Sequence, residues 1–216
     1  RYGGVANPHL AHDQKIGLGI HRVPAGQQGV NRLGLGHRYG RLMQTIAGIH
    51  YNYSVPEPYW QLRADREGKA VNLMALKSAG YMGAVRNVRR MDWLLLYLFG
   101  ASPVVCRSFL AGMDHSLAEL DSGTCYGEWA TSLRMSDLGY HNTNQSALTV
   151  SANSLDEYVR DLAAAIATPH EPFIKLGVRR DGEYLQLNAN KLQIENEFYS
   201  SVRPKRVARS GERPTS

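Results

Sequence analysis

Residues 42 to 53 alternate with the period of a β-strand, and the alternation sorts the side chains by chemistry. Leu42, Gln44, Ile46, Gly48, His50 and Asn52 share one face, while Met43, Thr45, Ala47, Ile49, Tyr51 and Tyr53 form an apolar one. The apolar face is expected to pack on a core, leaving the other free for chemistry. Pro56 and Pro58 resist incorporation into a sheet and should end the strand. A second alternation runs through KLQIENEFY, with Leu192, Ile194 and Phe198 on one face and Gln193, Glu195, Glu197 and Tyr199 on the other. Between FIKLGV and EYLQLN the triplet Arg180-Asp181-Gly182 predicts a hairpin, since Asp-Gly suits a type I′ turn with positive φ.

Helices punctuate these strands without a parallel βαβ rhythm. One is expected from about Ala70 to Leu98, with Met74, Tyr81, Val85, Val88 and Leu95 on one stripe and Arg86, Arg89 and Arg90 mostly off it. Gly100 and Pro103 suit its C-terminal stop. Ser154-Leu-Asp-Glu157 is a capping-box pattern in front of YVRDLAAAIA, and Thr168-Pro169 should end that helix. The expected class is α+β with an antiparallel sheet and packed helices. The chain has 216 residues, starts at Arg1 and stops at Ser216 with no closing helix, so it reads as a fragment with an incomplete sheet. Residues 1–32 read as an irregular segment.

The formal charge of +6 suits polyanionic partners, and nucleotide phosphates satisfy it as well as nucleic acid does. Cys106 and Cys125 show no CxxC spacing, which leaves disulfide scaffolds and zinc ribbons unsupported and favours a reducing, cytoplasmic setting. The apolar run from Trp93 to Phe99 is far shorter than the ~20 residues of a membrane span, so a soluble protein with no membrane partner is expected.

Three clusters carry chemistry. On the first strand, the His50 imidazole is a candidate metal ligand, and Asn52 on the same face could orient a phosphate or a water. In ATSLRMSDLGY, the planar fork of Arg134 is a candidate carboxylate clamp, with Asp137 and Tyr140 nearby, although an Arg134–Asp137 surface pair would explain the same residues. In QIENEFYSSVRPKR, Glu195 and Glu197 would share a strand face ahead of Arg203, Lys205 and Arg206. A Mg²⁺ (or Mn²⁺) nucleotide site would explain both the acids and the bases. The alternative is a solvated face followed by a charged tail. No P-loop and no GxGxxG occurs, so ATP would be held in neither of those ways.

These clusters, in this order and spacing, resemble the proteobacterial type of the glutamate–cysteine ligase family. The resemblance runs through GLGHRYGRLMQTIAGIHYNYSVP, SAGY, YLFGASP, ATSLRMSDLGY, LQLNANKLQIENEFY and RPKRVARSGE, so residues 33–216 look like the central part of that family's catalytic domain. It implies a sheet akin to those of glutamine synthetase and guanidino kinases. It also implies L-glutamate, L-cysteine and Mg²⁺–ATP as small-molecule ligands, and a monomer with no nucleic-acid partner.

ATP would phosphorylate the glutamate γ-carboxylate and the cysteine amine would attack the acyl phosphate, the first step of glutathione synthesis. The family's metal-ligand histidine falls on His50. Its cysteine contacts fall on Leu35, Gln44, Ile46, Arg134, Tyr140 and Tyr199. Asn31 stands where the family has a tyrosine. The family's N-terminal acidic strand and its later Glu-x-Arg strand have no counterpart here, so these residues alone are expected to be inactive. Another carboxylate–amine ligase of the same fold is the nearest alternative. A basic nucleic-acid-binding module rests only on charge, because RPKRVAR has no interleaved aromatic residues.

Overall fold

The computed structural model describes residues 25–41, 50–68, 71–100, 102–133, 145 and 147–205. Helix α1 covers Ala25–Tyr39, α2 Glu57–Glu67 and α3 Leu73–Phe99. Strands β1 (Val104–Cys106), β2 (Ala118–Asp121) and β3 (Thr124–Tyr126) form an antiparallel sheet in the order β1-β3-β2, with a bulge between Glu119 and Asp121. Helix α4 (Leu155–Ala167) and the short α5 (Glu171–Leu176) follow, then a hairpin of β4 (Arg179–Arg180) and β5 (Glu183–Tyr184). The expected α+β class is what the helices and small antiparallel sheets make.

Local signals set several of these elements. Ser154 caps α4 by accepting the Glu157 N–H at 3.2 Å, which satisfies one of the donors a helix start leaves open. The reciprocal half of the capping box does not form. The Glu157 carboxylate instead accepts from Ser151 Oγ at 2.5 Å and from Asn153 Nδ2 at 3.3 Å, so it ties the preceding turn to the helix. At the hairpin, Asp181 (φ 53°) and Gly182 (φ 85°) adopt the positive dihedrals a type I′ turn requires.

The strands flanking that turn are shorter than the sequence suggests. FIKL is helical, because Pro172 sits in the first turn of α5 and Gly177, at φ 83°, stops it.

Helix α3 is framed by Asn72, whose side chain accepts from the N–H groups of Met74 and Ala75. Its buried face differs from the expected stripe. Leu76, Met82 and Val85 are buried, Tyr81 and Val88 are half-buried, and Met74 and Leu95 are exposed. The reason is α2: Trp60, 3% exposed, packs so closely that a Cβ on Gly80 would lie 2.5 Å from its ring. The Tyr81 ring lies 5.1 Å from the same indole, and its hydroxyl accepts the Val55 N–H. Gly100 ends the helix by close approach rather than by a left-handed turn. Its φ is −63°, and a Cβ there would meet Leu96 O and Thr131 O at 2.4 and 2.5 Å.

The main core joins α3, α4 and the stretch after the hairpin through Met82, Val150, Tyr158, Leu162, Ala165, Leu192 and Phe198. Tyr158, Leu162 and Ala165 recur at i, i+4 and i+7, the apolar stripe of an amphipathic helix. Leu192 is fully buried on that stripe, and its N–H reaches Ala165 O. The Lys191 N–H similarly reaches Thr168 O, and Asn190 Nδ2 reaches Ile166 O. Residues 190–192 thus satisfy carbonyls that the end of α4 leaves open.

That coupling explains why KLQIENEFY is not a strand. Its backbone groups pair with a helix end and with side chains, and Glu195–Glu197 close a 3₁₀ turn in which both carboxylates are buried. Residues 50–53 are likewise not a strand: they have no regular secondary structure and are exposed, with Tyr51 at 87% and Tyr53 at 71%. The expected apolar face therefore lacks a core at this end; residues 42–49 lie outside the described set.

Candidate functional site

Helix α1 presents one polar-lined face to the stretch after the hairpin. Asn31, Gly34 and Arg38 lie at i, i+3 and i+7 on it and are buried. Gly34 permits the contact, because a Cβ there would lie 2.1 Å from Gln193 Oε1. Gln193 is itself 3% exposed; its Oε1 accepts the Leu187 N–H at 2.9 Å and its Nε2 donates to Asn31 O at 3.3 Å.

Arg38 is the hub. Its Nη1 donates to Glu197 Oε1 at 2.9 Å, its Nε to Gln186 Oε1 at 2.9 Å and its Nη2 to Asn188 O at 2.6 Å. The guanidinium lies 4.0 Å from the centre of the Phe173 ring, a cation–π stack in a dry site. Gln186, fully buried, completes its own bonding by donating to Phe173 O and Gly177 O. Both side chains of the Arg38–Glu197 pair are fully shielded from solvent. Removing one partner from such a pair costs about 3–5 kcal/mol, because the other charge is left buried and unpaired.

Both oxygens of Glu197 accept hydrogen bonds. Oε1 also accepts the Tyr39 hydroxyl at 2.6 Å, and Oε2 accepts the Gln193 N–H at 2.6 Å. Burial, and then the adjacent Glu197 charge, push the Tyr39 phenol far above its ordinary value, so it stays a proton donor. Gln145 extends the network: its Nε2 donates to Tyr39 Oη at 3.3 Å and to Glu197 O at 2.9 Å, and its Oε1 accepts the Tyr199 N–H at 3.0 Å.

The network brings some of the sequence-derived candidates to neighbouring elements. Leu35 is half-buried on α1, one turn before Arg38. Tyr199 is half-buried and, with Arg89, Thr149, Phe198 and Ser200, lines a cleft of about 390 Å³. Glu195, 9% exposed, accepts no side-chain hydrogen bond among the described residues. His50 and Asn52 are exposed in the irregular stretch before α2.

Arg203 donates Nη1 to Asn196 O and Phe198 O, which holds the chain beside Tyr199, and Lys205 is exposed. Gln44, Ile46, Arg134, Tyr140 and Arg206 lie outside the described residues, as does Asp137. Sequence reasoning passed over Arg38, Tyr39, Gln145, Gln186 and Gln193. The one available signal was the polar alternation Gln193-Glu195-Glu197, read as a strand face.

No three acidic, histidine or cysteine side chains cluster closely enough to hold a metal among the described residues. Glu197 is turned inward to α1, its oxygens accepting from Arg38, Tyr39 and the Gln193 N–H. Glu195 and His50 are left as an oxygen and a nitrogen donor, which is part of the shell that a six-coordinate Mg²⁺ requires. No described helix is long and apolar enough to cross a membrane.

Residues 8–216 match the glutamate–cysteine ligase family. Among curated proteins, the glutamate–cysteine ligase of Azotobacter vinelandii is 55% identical over 188 residues, covering 86% of this chain and 36% of the relative. That of Alcanivorax borkumensis is 56% identical over 192 residues, covering 87% and 37%. The crystal structure of the Francisella tularensis glutamate–cysteine ligase in complex with AMP superposes with a TM-score of 0.74 at 40% identity, over 86% of this chain and 36% of that one. The fold over most of the chain is thus that of a glutamate–cysteine ligase of known structure. The chain is a member of the glutamate–cysteine ligase family. It spans about a third of the length of the curated relatives it matches.

Proposed function

We propose that residues 33–216 are the central part of the catalytic domain of an ATP-dependent ligase that joins the γ-carboxylate of L-glutamate to the amine of L-cysteine, the first step of glutathione synthesis. The observation that supports this most is the likeness to an AMP-bound ligase at 40% identity over 86% of the chain. In this reading a γ-carboxylate oxygen of glutamate takes the γ-phosphoryl group of ATP and ADP leaves. The cysteine nitrogen then attacks the acyl carbon, inorganic phosphate departs, and the amine loses a proton to give the amide. The enzyme's contribution is positioning and charge neutralisation.

Leu35, Gln44, Ile46, Arg134, Tyr140 and Tyr199 would form the cysteine subsite, with the Arg134 fork on the cysteine carboxylate. Asn52, Arg203, Lys205 and Arg206 would face ATP phosphates. His50 and Glu195 would supply two ligands to Mg²⁺ or Mn²⁺, which neutralises phosphate charge when bound. The protein would act as a cytoplasmic monomer on small molecules.

The test is γ-glutamylcysteine formation by the full-length polypeptide, measured by mass spectrometry together with cysteine-dependent ADP release. His50→Ala should lose turnover that excess Mg²⁺ partly restores, and Arg134→Lys should raise the KM for cysteine far more than that for ATP. Residues 1–216 alone should form no product. Absence of the dipeptide from the full-length reaction would refute the proposal. An unchanged Mg²⁺ dependence in His50→Ala would remove that residue from the metal site.

A further inference from the structure

Glu197 presents a puzzle of placement. It sits two residues from a proposed metal ligand and two from a proposed substrate contact, yet it is 3% exposed and faces inward to α1. Three donors engage its two oxygens: the Arg38 guanidinium, the Tyr39 hydroxyl and the Gln193 N–H. With its side chain shielded from solvent, this carboxylate is not presented to a metal ion arriving from solution. Nor does stability alone account for such a pair, because replacing a buried ion pair by well-packed apolar residues is often neutral or stabilising. What a directional network supplies, and an apolar contact does not, is a fixed register between the elements it joins.

Those elements are α1, which carries Leu35, and the 193–199 stretch, which carries Tyr199. We propose that Glu197 and Tyr39 are positioning residues for the amino-acid substrate: by clamping α1 through Arg38 and Tyr39, they set the separation and rotation of Leu35 relative to Tyr199.

The link to Tyr199 is short. The Tyr39 oxygen accepts from Gln145 Nε2, and Gln145 Oε1 holds the Tyr199 N–H, so two hydrogen bonds connect the phenol to that backbone. Gln145 Nε2 also holds Glu197 O, which ties the same 3₁₀ turn down a second time. Gly34 shapes the interface on the helix side by letting Gln193 approach within the space a methyl group would fill. Phe173 covers the guanidinium and keeps water from the pair. The inference rests on the reading that Leu35 and Tyr199 contact cysteine. Neither Tyr39 nor Glu197 is assigned a contact with a reacting atom.

Tyr39→Phe in the full-length enzyme tests this most gently, since the ring and its packing stay while the hydroxyl and its bonds to Glu197 and Gln145 go. The KM for cysteine should rise about three- to thirtyfold, the value of one or two buried hydrogen bonds, with kcat and the KM values for ATP and glutamate within about twofold. Glu197→Gln, which cannot accept the Gln193 N–H through an amide nitrogen, should show the same selectivity with a larger rise. Its Mg²⁺ activation curve should not move, whereas the loss of a ligand would shift it.

Unchanged cysteine kinetics in Tyr39→Phe overturns the inference, as does an equal rise in all three KM values, a fall in kcat alone, or a shifted Mg²⁺ curve. If the wild-type enzyme makes γ-glutamylcysteine and the variant shows no cysteine-selective effect, only the positioning role falls. If the wild-type enzyme makes none, the role falls with the reading beneath it.

Discussion

Gly29 and Gly34 lie in the same helix, and helix propensity treats them alike: replacing either by alanine should stabilise α1 by about 0.5–1 kcal/mol. The structure predicts opposite outcomes. A Cβ at Gly29 meets nothing within 4 Å, so Gly29→Ala should deliver the propensity gain. At Gly34 the Cβ would lie 2.1 Å from Gln193 Oε1 and 2.7 Å from its Cδ, and Gln193 is buried with little space to retreat.

Moving it breaks the bond to the Leu187 N–H and strains the one to Asn31 O. A partly buried donor left without a partner costs about 1–3 kcal/mol, and the weaker bond adds roughly 0.5–1 kcal/mol. Against a gain of at most about 1 kcal/mol, Gly34→Ala should be destabilising by about 1–3 kcal/mol, which places the two variants roughly 2–4 kcal/mol apart. Hydrogen exchange of the α1 amides in the full-length polypeptide reads this locally, with protection at Gly34→Ala falling about 5- to 150-fold and protection at Gly29→Ala rising. Equal protection gains in the two variants would refute the close α1–Gln193 contact, and with it the register argument for Glu197.

Two further outcomes follow from caps and burial. Ser154→Ala should destabilise α4 by about 1 kcal/mol, read as a shift in urea midpoint without a change in slope, and Ser154→Asp should keep most of it; no shift in either variant would mean the cap contributes nothing. His170 Nε2 is buried without a hydrogen-bond partner, and burial first, then the Lys191 and Arg38 charges, hold its pKa below the ordinary histidine value. The unfolded chain therefore binds more protons than the folded one as pH falls below about 6.5, and stability drops through that window. His170→Asn should lose less stability than wild type between pH 7.5 and pH 5.5 in paired urea melts, and parallel losses would exclude His170 as the source.

Some of this architecture needs only a few consecutive residues. The Ser154 cap and the Asp181-Gly182 turn are decided within one turn of chain. Their dihedral and hydrogen-bonding demands are met locally, so the sequence determines them. Motif order and spacing likewise mark the family, because a catalytic apparatus places side-chain types at fixed positions along the chain.

What lay beyond the sequence is which polar side chains go inside. Gln193, Glu195 and Glu197 alternate like a solvated strand face, yet all three are buried: Arg38, nearly 160 positions away, brings the donor that makes burial of Glu197 tolerable, and the Leu187 N–H and Asn31 O meet the Gln193 amide. The same holds for α3, whose expected stripe shifts to Leu76 and Met82 once Trp60 and α4 take their places beside it, and for FIKL, whose β-branched residue gives way to a proline start and a glycine stop. Periodicity reports only that a segment has two chemically different faces. Whether a carboxylate on one of them meets water or a guanidinium depends on long-range partners, and in this protein that pairing is made only when α1 docks on the chain that follows the hairpin.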